Sequence, residues 1–160
     1  MRLQQFQAFP LPGLLPAHHR LVLNTSPYVL STFILTELSP EEVVAQQVVT
    51  EHEMYALVAL LEAYPDYCPC EVLLVAITDV TIDQARQVLH QAIAHKMLDH
   101  EMKPIRKLIS QCRAKLSPFH LSICSVHEMG YMLVAKRSVS RSRRELGAFV
   151  PASLTRFSDK

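Results

Sequence analysis

The sequence predicts an α+β fold, with a small antiparallel sheet first, helices in the middle and a β-hairpin near the C-terminus. Three short runs rich in β-branched and aromatic residues precede residue 50. Two capping boxes, at Thr50 and Thr81, each come before apolar residues at helical spacing. Two further apolar runs flank a segment that contains Gly130. At 160 residues, the chain suits one domain with a substantial core.

The N-terminal third predicts an irregular arm followed by a sheet. Residues 1–17 contain three prolines and are expected to be an arm, whereas residues 18–49 hold the three β-like runs, 20–23, 28–35 and 43–49. Pro40, which two glutamates follow, also suits the start of a short helix. A strand and a short helix therefore both remain open at that position.

Four helices are expected between residues 50 and 116. The first starts at Thr50 and stops at Pro65, and a shorter one spans 69–77. The capping box at Thr81 opens a third helix, expected over 81–97. Residues 99–103 are expected to break the chain, so that Pro104 lies in the first turn of a final helix, 104–116.

The helix over 104–116 is amphipathic and basic. Its apolar positions are Ile105, Leu108, Ile109, Cys112 and Leu116. The rest of its surface, with the residue just before it, offers Lys103, Arg106, Lys107, Ser110, Gln111 and Arg113. A hairpin over 121–136, reversing around Gly130, follows at once, an order that suits a helix in the major groove with a flanking wing. The alternative is an ordinary solvated helix packed on a core hairpin.

Charge is distributed unevenly along the chain. The net charge is only +1, which excludes a uniformly basic nucleic-acid binder. Between Lys103 and Arg144, however, ten lysines and arginines stand against Glu128 alone. This segment predicts one polyanion-binding face, continued by a flexible basic tail over 138–160.

Composition argues against several other classes. We expect neither a secretory signal nor a stretch able to span a bilayer, and we therefore expect the four cysteines as reduced thiols in a cytoplasmic protein. Three glycines cannot build a phosphate-binding loop. Only one residue separates Cys68 from Cys70, whereas two to four residues separate the cysteines of structural zinc pairs. Both cysteines are therefore expected to be turn residues. No catalytic constellation stands out, so we expect no enzyme activity, metal or cofactor.

Several local matches support a family resemblance. They are Thr50–Met54, Tyr64–Asp66 followed by Glu71–Leu74, Cys112–Leu116, Ile123–Val126 and Gly130–Leu133. Together they resemble the OmpR-type winged helix-turn-helix domain, found in response regulators and ToxR-like activators, over about residues 21–136. The resemblance implies a winged-helix domain over 18–137, with a sheet over 18–49, helices over 50–116 and a wing over 121–136.

The chain departs from this family in three places. Residues 78–102 are longer than the usual connection and add a helix. His127 and Glu128 stand where the family's wing has Arg and Gly. We expect no receiver domain before the winged helix, and therefore a stand-alone regulator without a phosphoacceptor aspartate switch.

The resemblance implies a bacterial, sequence-specific transcription regulator that docks helix 104–116 in the major groove. Lys107, Ser110 and Gln111 fall where the family's helix meets bases or adjacent phosphates, and Gln can pair bidentately with adenine. Phosphate contacts are expected from Lys103 and Arg113, and Arg106 suits either role. The remaining expected DNA contacts are His127 at the wing tip and Lys136 and Arg137 after the hairpin. Double-stranded DNA is the expected partner, and a homodimer and contact with RNA polymerase or another regulator are compatible with it.

A second interpretation uses the same fold differently. The added helix over 81–97 would bind a protein partner, and DNA binding would be weak or lost. The concentration of cations in and after helix 104–116 favours the first interpretation.

Overall fold

A computed structural model of the protein describes residues 5–36 and 39–137. In this part of the chain the fold is mixed α+β, with four helices and two antiparallel sheets of four and three strands. The α+β expectation is therefore confirmed. The basic tail expected over 138–160 lies outside the described residues.

The first sheet contains β1 (Phe6–Phe9), β2 (His19–Thr25), β3 (Tyr28–Thr36) and β4 (Ser39–Val48) in chain order. Leu23 of β2 and Leu30 of β3 face each other in the register and are fully buried. Because β4 begins at Ser39, the segment after Pro40 is a strand and not a short helix. The structure also departs from the expected irregular arm, since β1 supplies hydrogen-bond partners to the outer edge of β2.

Three helices follow this sheet: α1 (Glu51–Ala63), α2 (Cys70–Ile77) and α3 (Ile82–Ala94). The capping boxes at Thr50 and Thr81 are both present, with reciprocal side-chain and backbone hydrogen bonds. The extra helix is thus confirmed, but it ends at Ala94 rather than Met97. Lys96, in the loop that follows, has a left-handed backbone with φ of +56°.

The fourth helix, α4, spans Leu98–Leu116 and is longer than the sequence predicts. The expected break over 99–103 is wrong, and Pro104 lies inside the helix instead of in its first turn. A proline there removes one backbone hydrogen bond. The buried side chain of Met102 extends the apolar face of the helix past this point, and this packing offsets the loss.

The second sheet joins the C-terminal hairpin to a short strand that precedes α2. It contains β5 (Cys68–Pro69), β6 (Leu121–Val126) and β7 (Gly130–Ala135), in the order β5–β7–β6. The hairpin is confirmed, but it turns at residues 127–129, where Glu128 has φ of +54°. Gly130 is needed for another reason: a Cβ there would lie 2.0 Å from the Cys68 carbonyl oxygen.

One hydrophobic core holds these elements together. Buried side chains from both sheets and all four helices form a single cluster that includes Leu21, Leu57, Leu89, Ile105 and Leu121. Within the described residues, no helix has the length and apolar composition needed to cross a membrane.

Candidate nucleic-acid interface

The candidate interface is built on α4, which buries one side and exposes the other. Ile105, Ile109 and Cys112 are almost completely inaccessible to solvent. The Cys112 thiol also donates a weak hydrogen bond to the Glu53 carbonyl of α1, with Sγ and O 3.9 Å apart. This side of the helix is fixed by the core, so the opposite side must face solvent.

The side opposite the core carries Lys103, Lys107, Ser110 and Ala114, which we call the outward face. At 100° per residue, these four positions fall within about 60° of one another around the helix axis. All four are exposed. Among the described residues, none of the ion pairs or side-chain hydrogen bonds involves Lys103 or Lys107. Their charges are available to a partner.

Small side chains lie between and beyond these lysines. Ser110 and Ala114 follow Lys107 on the outward face, and Gln111 is exposed at its border. From Lys103 to Ala114 the helix rises about 16 Å. Ala114 was missed by sequence reasoning because alanine carries no chemical signal; only its exposure beside Ser110 identifies it as a place where another molecule can approach the backbone closely.

Arg106 and Arg113 lie on a different side of α4, toward the hairpin. The Arg106 Nη2 donates to Asp99 Oδ1 at 2.6 Å, two turns back along the helix. The Arg113 Nε donates to the Ile123 carbonyl of β6 at 2.7 Å. Arg106 is thus already paired with a carboxylate, and Arg113 ties α4 to the hairpin, a role that the sequence did not predict.

The hairpin runs alongside α4 and encloses a groove with α3. The volume of the groove is about 640 Å³, and residues 125–131 of the hairpin form one wall. Leu89 and Ile93 of α3 and Met102 of α4 supply apolar surface, and both Arg106 and Arg113 line it. Below we call this space the groove.

Tyr131 lies in the groove and is 7% exposed, as its alternation with Leu133 predicts for a packed residue. Burial raises the pKa of its hydroxyl, while the Arg106 and Arg113 guanidiniums act in the opposite direction. The phenol is therefore neutral at physiological pH and lies in the field of two cations.

The three remaining predicted contacts lie at the two ends of the hairpin. His127 is exposed in the turn, beside the acidic Glu128. Lys136 and Arg137 follow β7 and are also exposed. The Lys136 Nζ donates to the Ser117 hydroxyl, just after α4, so Lys136 lies near the C-terminal end of that helix.

Cys68 and Cys70 are placed differently from the expected turn. Cys68 is a buried residue of β5, and Cys70 is the first residue of α2. Burial raises the pKa of Cys68 and of Cys112 to about 12, so both remain protonated thiols. In the part of the chain that the structure describes, no three histidine, cysteine or acidic side chains come together as a metal site would require.

Comparison of the chain with protein-family models, with curated proteins and with solved structures finds no match.

Proposed function

We propose that the protein is a winged-helix, sequence-specific DNA-binding regulator of transcription. In this proposal α4 lies in the major groove and the β6–β7 hairpin flanks the duplex as a wing. The order of elements supports it: an antiparallel N-terminal sheet, helices with one added, and a terminal hairpin follow the order that the OmpR-type resemblance implies.

The observation that carries the proposal is the outward face of α4. Two lysines without ion-pair partners in the described chain lie next to small side chains on a 19-residue helix. Lysines neutralise phosphates and release counterions, which provides affinity. Small residues let the helix approach base edges in a groove about 12 Å wide. An exposed glutamine at the border supplies a group able to read adenine.

The same geometry separates the roles of the predicted contacts. Lys103 and Lys107 contact phosphates, Ser110 and Gln111 face bases, and Lys136 and Arg137 add phosphate contacts from the end of the hairpin. Arg106 contributes less than the sequence predicts because its charge is paired with Asp99, and Arg113 contributes less because it lies on the side of α4 toward the hairpin. Since one module buries a modest interface, we expect a homodimer or tandem binding, in the cytoplasm of a bacterium.

Selection of bound fragments from a genomic library, followed by gel shift, tests the proposal. Five or six phosphate contacts, namely the four assigned above with the weaker contributions of Arg106 and Arg113, give a slope of roughly −5 for log affinity against log salt. The double variant Lys103→Ala/Lys107→Ala should make that slope shallower by about 2.

The matched control is Lys96→Asn, which removes a cation outside the outward face. Asparagine tolerates the left-handed backbone at this position, so the fold is preserved. The slope of this variant should equal that of the unmodified protein. Absence of any bound fragment, or a slope that does not depend on Lys103 and Lys107, would contradict the proposal.

The alternative, a protein-interaction module built on α3, has one observation in its favour. Val88, Ile93 and Met97 are exposed apolar side chains on or just after this helix. Val88 and Ile93 lie on opposite sides of its buried positions, however, so they do not form one continuous apolar face. We therefore keep DNA binding as the proposed function.

A further inference from the structure

The groove between α3, α4 and the hairpin is a second feature that could hold a ligand, separate from the outward face. Its volume of about 640 Å³ lies within the range of small-molecule binding sites. Its walls come from three elements that the core holds in place. It is therefore formed before any ligand arrives.

The two ends of the groove differ in chemistry. Toward α3, Ile93 is 59% exposed although it lines the groove, and Leu89 and Leu98 lie nearby in the same lining. Exposed apolar surface in a concave site gains free energy when a ligand covers it. This end suits a hydrocarbon or aromatic group.

The other end presents cations around a buried hydroxyl. The Arg113 Nε donates to an uncharged group, the Ile123 carbonyl. Arg113 takes part in none of the ion pairs among the described residues. Its guanidinium and that of Arg106 both act on the Tyr131 hydroxyl. A guanidinium that lacks an acidic partner in a half-enclosed site favours a carboxylate, which it can bind through two parallel hydrogen bonds.

Three carboxylates also line the groove, and two of them are in ion pairs. Glu71 is 3.9 Å from Arg86 of α3, Asp99 is paired with Arg106, and Glu128 is in the hairpin turn. Among the guanidiniums that line the groove, Arg113 is the one that takes part in no ion pair of the described residues, and it lies at the Tyr131 end.

We propose that the groove binds a small amphipathic carboxylate. The Arg106 and Arg113 guanidiniums and the Tyr131 hydroxyl bind the carboxylate group, and the apolar part lies against Leu89 and Ile93. This site does not depend on DNA binding, because the outward face lies on another side of α4 and stays open when the groove is filled.

Titration of the isotope-labelled full chain with phenylbutyrate, followed by NMR, tests the proposal. Saturable shifts should appear at residues 125–131 and at Leu89 and Ile93. The uncharged amide of the same compound should bind at least about tenfold more weakly, since it lacks the charge-assisted hydrogen bonds.

Two variants probe the two ends independently. Arg106→Gln should weaken phenylbutyrate binding about tenfold by removing one charged donor. Ile93→Gln should weaken it about fourfold by removing about one buried methylene equivalent. Both side chains are exposed, so neither change threatens the fold.

Lys115→Gln is the matched control, because it removes a cation from α4 outside the groove, and it should leave binding unchanged. Three results would overturn the proposal: no saturable shift up to about 1 mM, equal binding of acid and amide, or equal effects of Lys115→Gln and Arg106→Gln. Inorganic phosphate that shifts the same residues as strongly as phenylbutyrate would also overturn it, by showing a site for small oxyanions only.

Discussion

The two exposed sides of α4 both carry cations, but the cations on one side have hydrogen-bond or ion-pair partners within the protein and those on the other side do not. On the outward face, Lys103 and Lys107 lie in solvent without an ion-pair partner in the described chain. On the side toward the hairpin, Arg106 binds Asp99 and Arg113 binds the Ile123 carbonyl. In the sequence, all four lie in or just before one predicted basic helix, and their residue types alone do not separate them.

The difference shows that the availability of a cation depends on which element packs beside it. The hairpin covers one side of α4 and offers the Ile123 carbonyl as an acceptor to Arg113. Nothing in the described chain packs on the outward face. A polyanion would therefore meet the lysines first, and a small anion would meet the arginines.

The largest effect is expected from a substitution that disrupts the packing of the hairpin against β5. Gly130→Ala places a methyl group against the Cys68 carbonyl, so β5 and β7 must separate. We expect the free energy of unfolding to fall by about 3 kcal/mol, measured by urea denaturation. The neighbouring change Met129→Ala, at a half-exposed side chain in the turn, should stay within about 0.5 kcal/mol of the unmodified protein. A Gly130→Ala protein of unchanged stability would show that the approach of β5 does not constrain the hairpin.

The next prediction sharpens the proposed role of the outward face. Gln111→Ala should reduce discrimination between specific and random DNA by about 1–3 kcal/mol, because one bidentate base contact is lost. Lys107→Ala should instead weaken both complexes by similar factors, since phosphate contacts carry no sequence information. Competition gel shifts measure both. If Gln111→Ala discriminated between specific and random DNA as well as the unmodified protein does, Gln111 would not contact a base.

A third prediction compares the two arginines on the hairpin side. Arg113→Ala leaves the Ile123 carbonyl without its side-chain donor and should lower the free energy of unfolding by about 1 kcal/mol. Arg106→Ala should leave the denaturation midpoint unchanged, because its ion pair with Asp99 is exposed. If the two variants were equally stable, Arg113 would be a surface cation like Arg106.

The smallest expected effect is at the tip of the hairpin. Glu128 has a left-handed backbone that glycine adopts without strain. Glu128→Gly should therefore raise the free energy of unfolding by roughly 0.5–1 kcal/mol, the strain relief exceeding the entropy cost in the unfolded chain. A loss of stability would indicate that the Glu128 side chain, and not its backbone, matters in the turn.

Local signals in the sequence predicted much of this fold. The capping boxes at Thr50 and Thr81 marked two helix starts because both partners of each box lie within four residues. Alternation correctly identified Tyr131 as a packed residue. Helical periodicity also assigns Lys107 to the side opposite Ile105, whereas Lys103 fell in the break that was expected before the helix.

What the sequence determined by itself is therefore local: which segments form helices or strands, and which side of each is apolar. Tertiary structure decided the rest. Pro104 is tolerated inside α4 because Met102 packs into the core, Gly130 is required because Cys68 approaches it, and Arg113 is engaged because β6 runs beside α4. Each of these features depends on contacts between elements of the fold. The residue type at one position and the spacing of its neighbours in the sequence do not reveal such contacts.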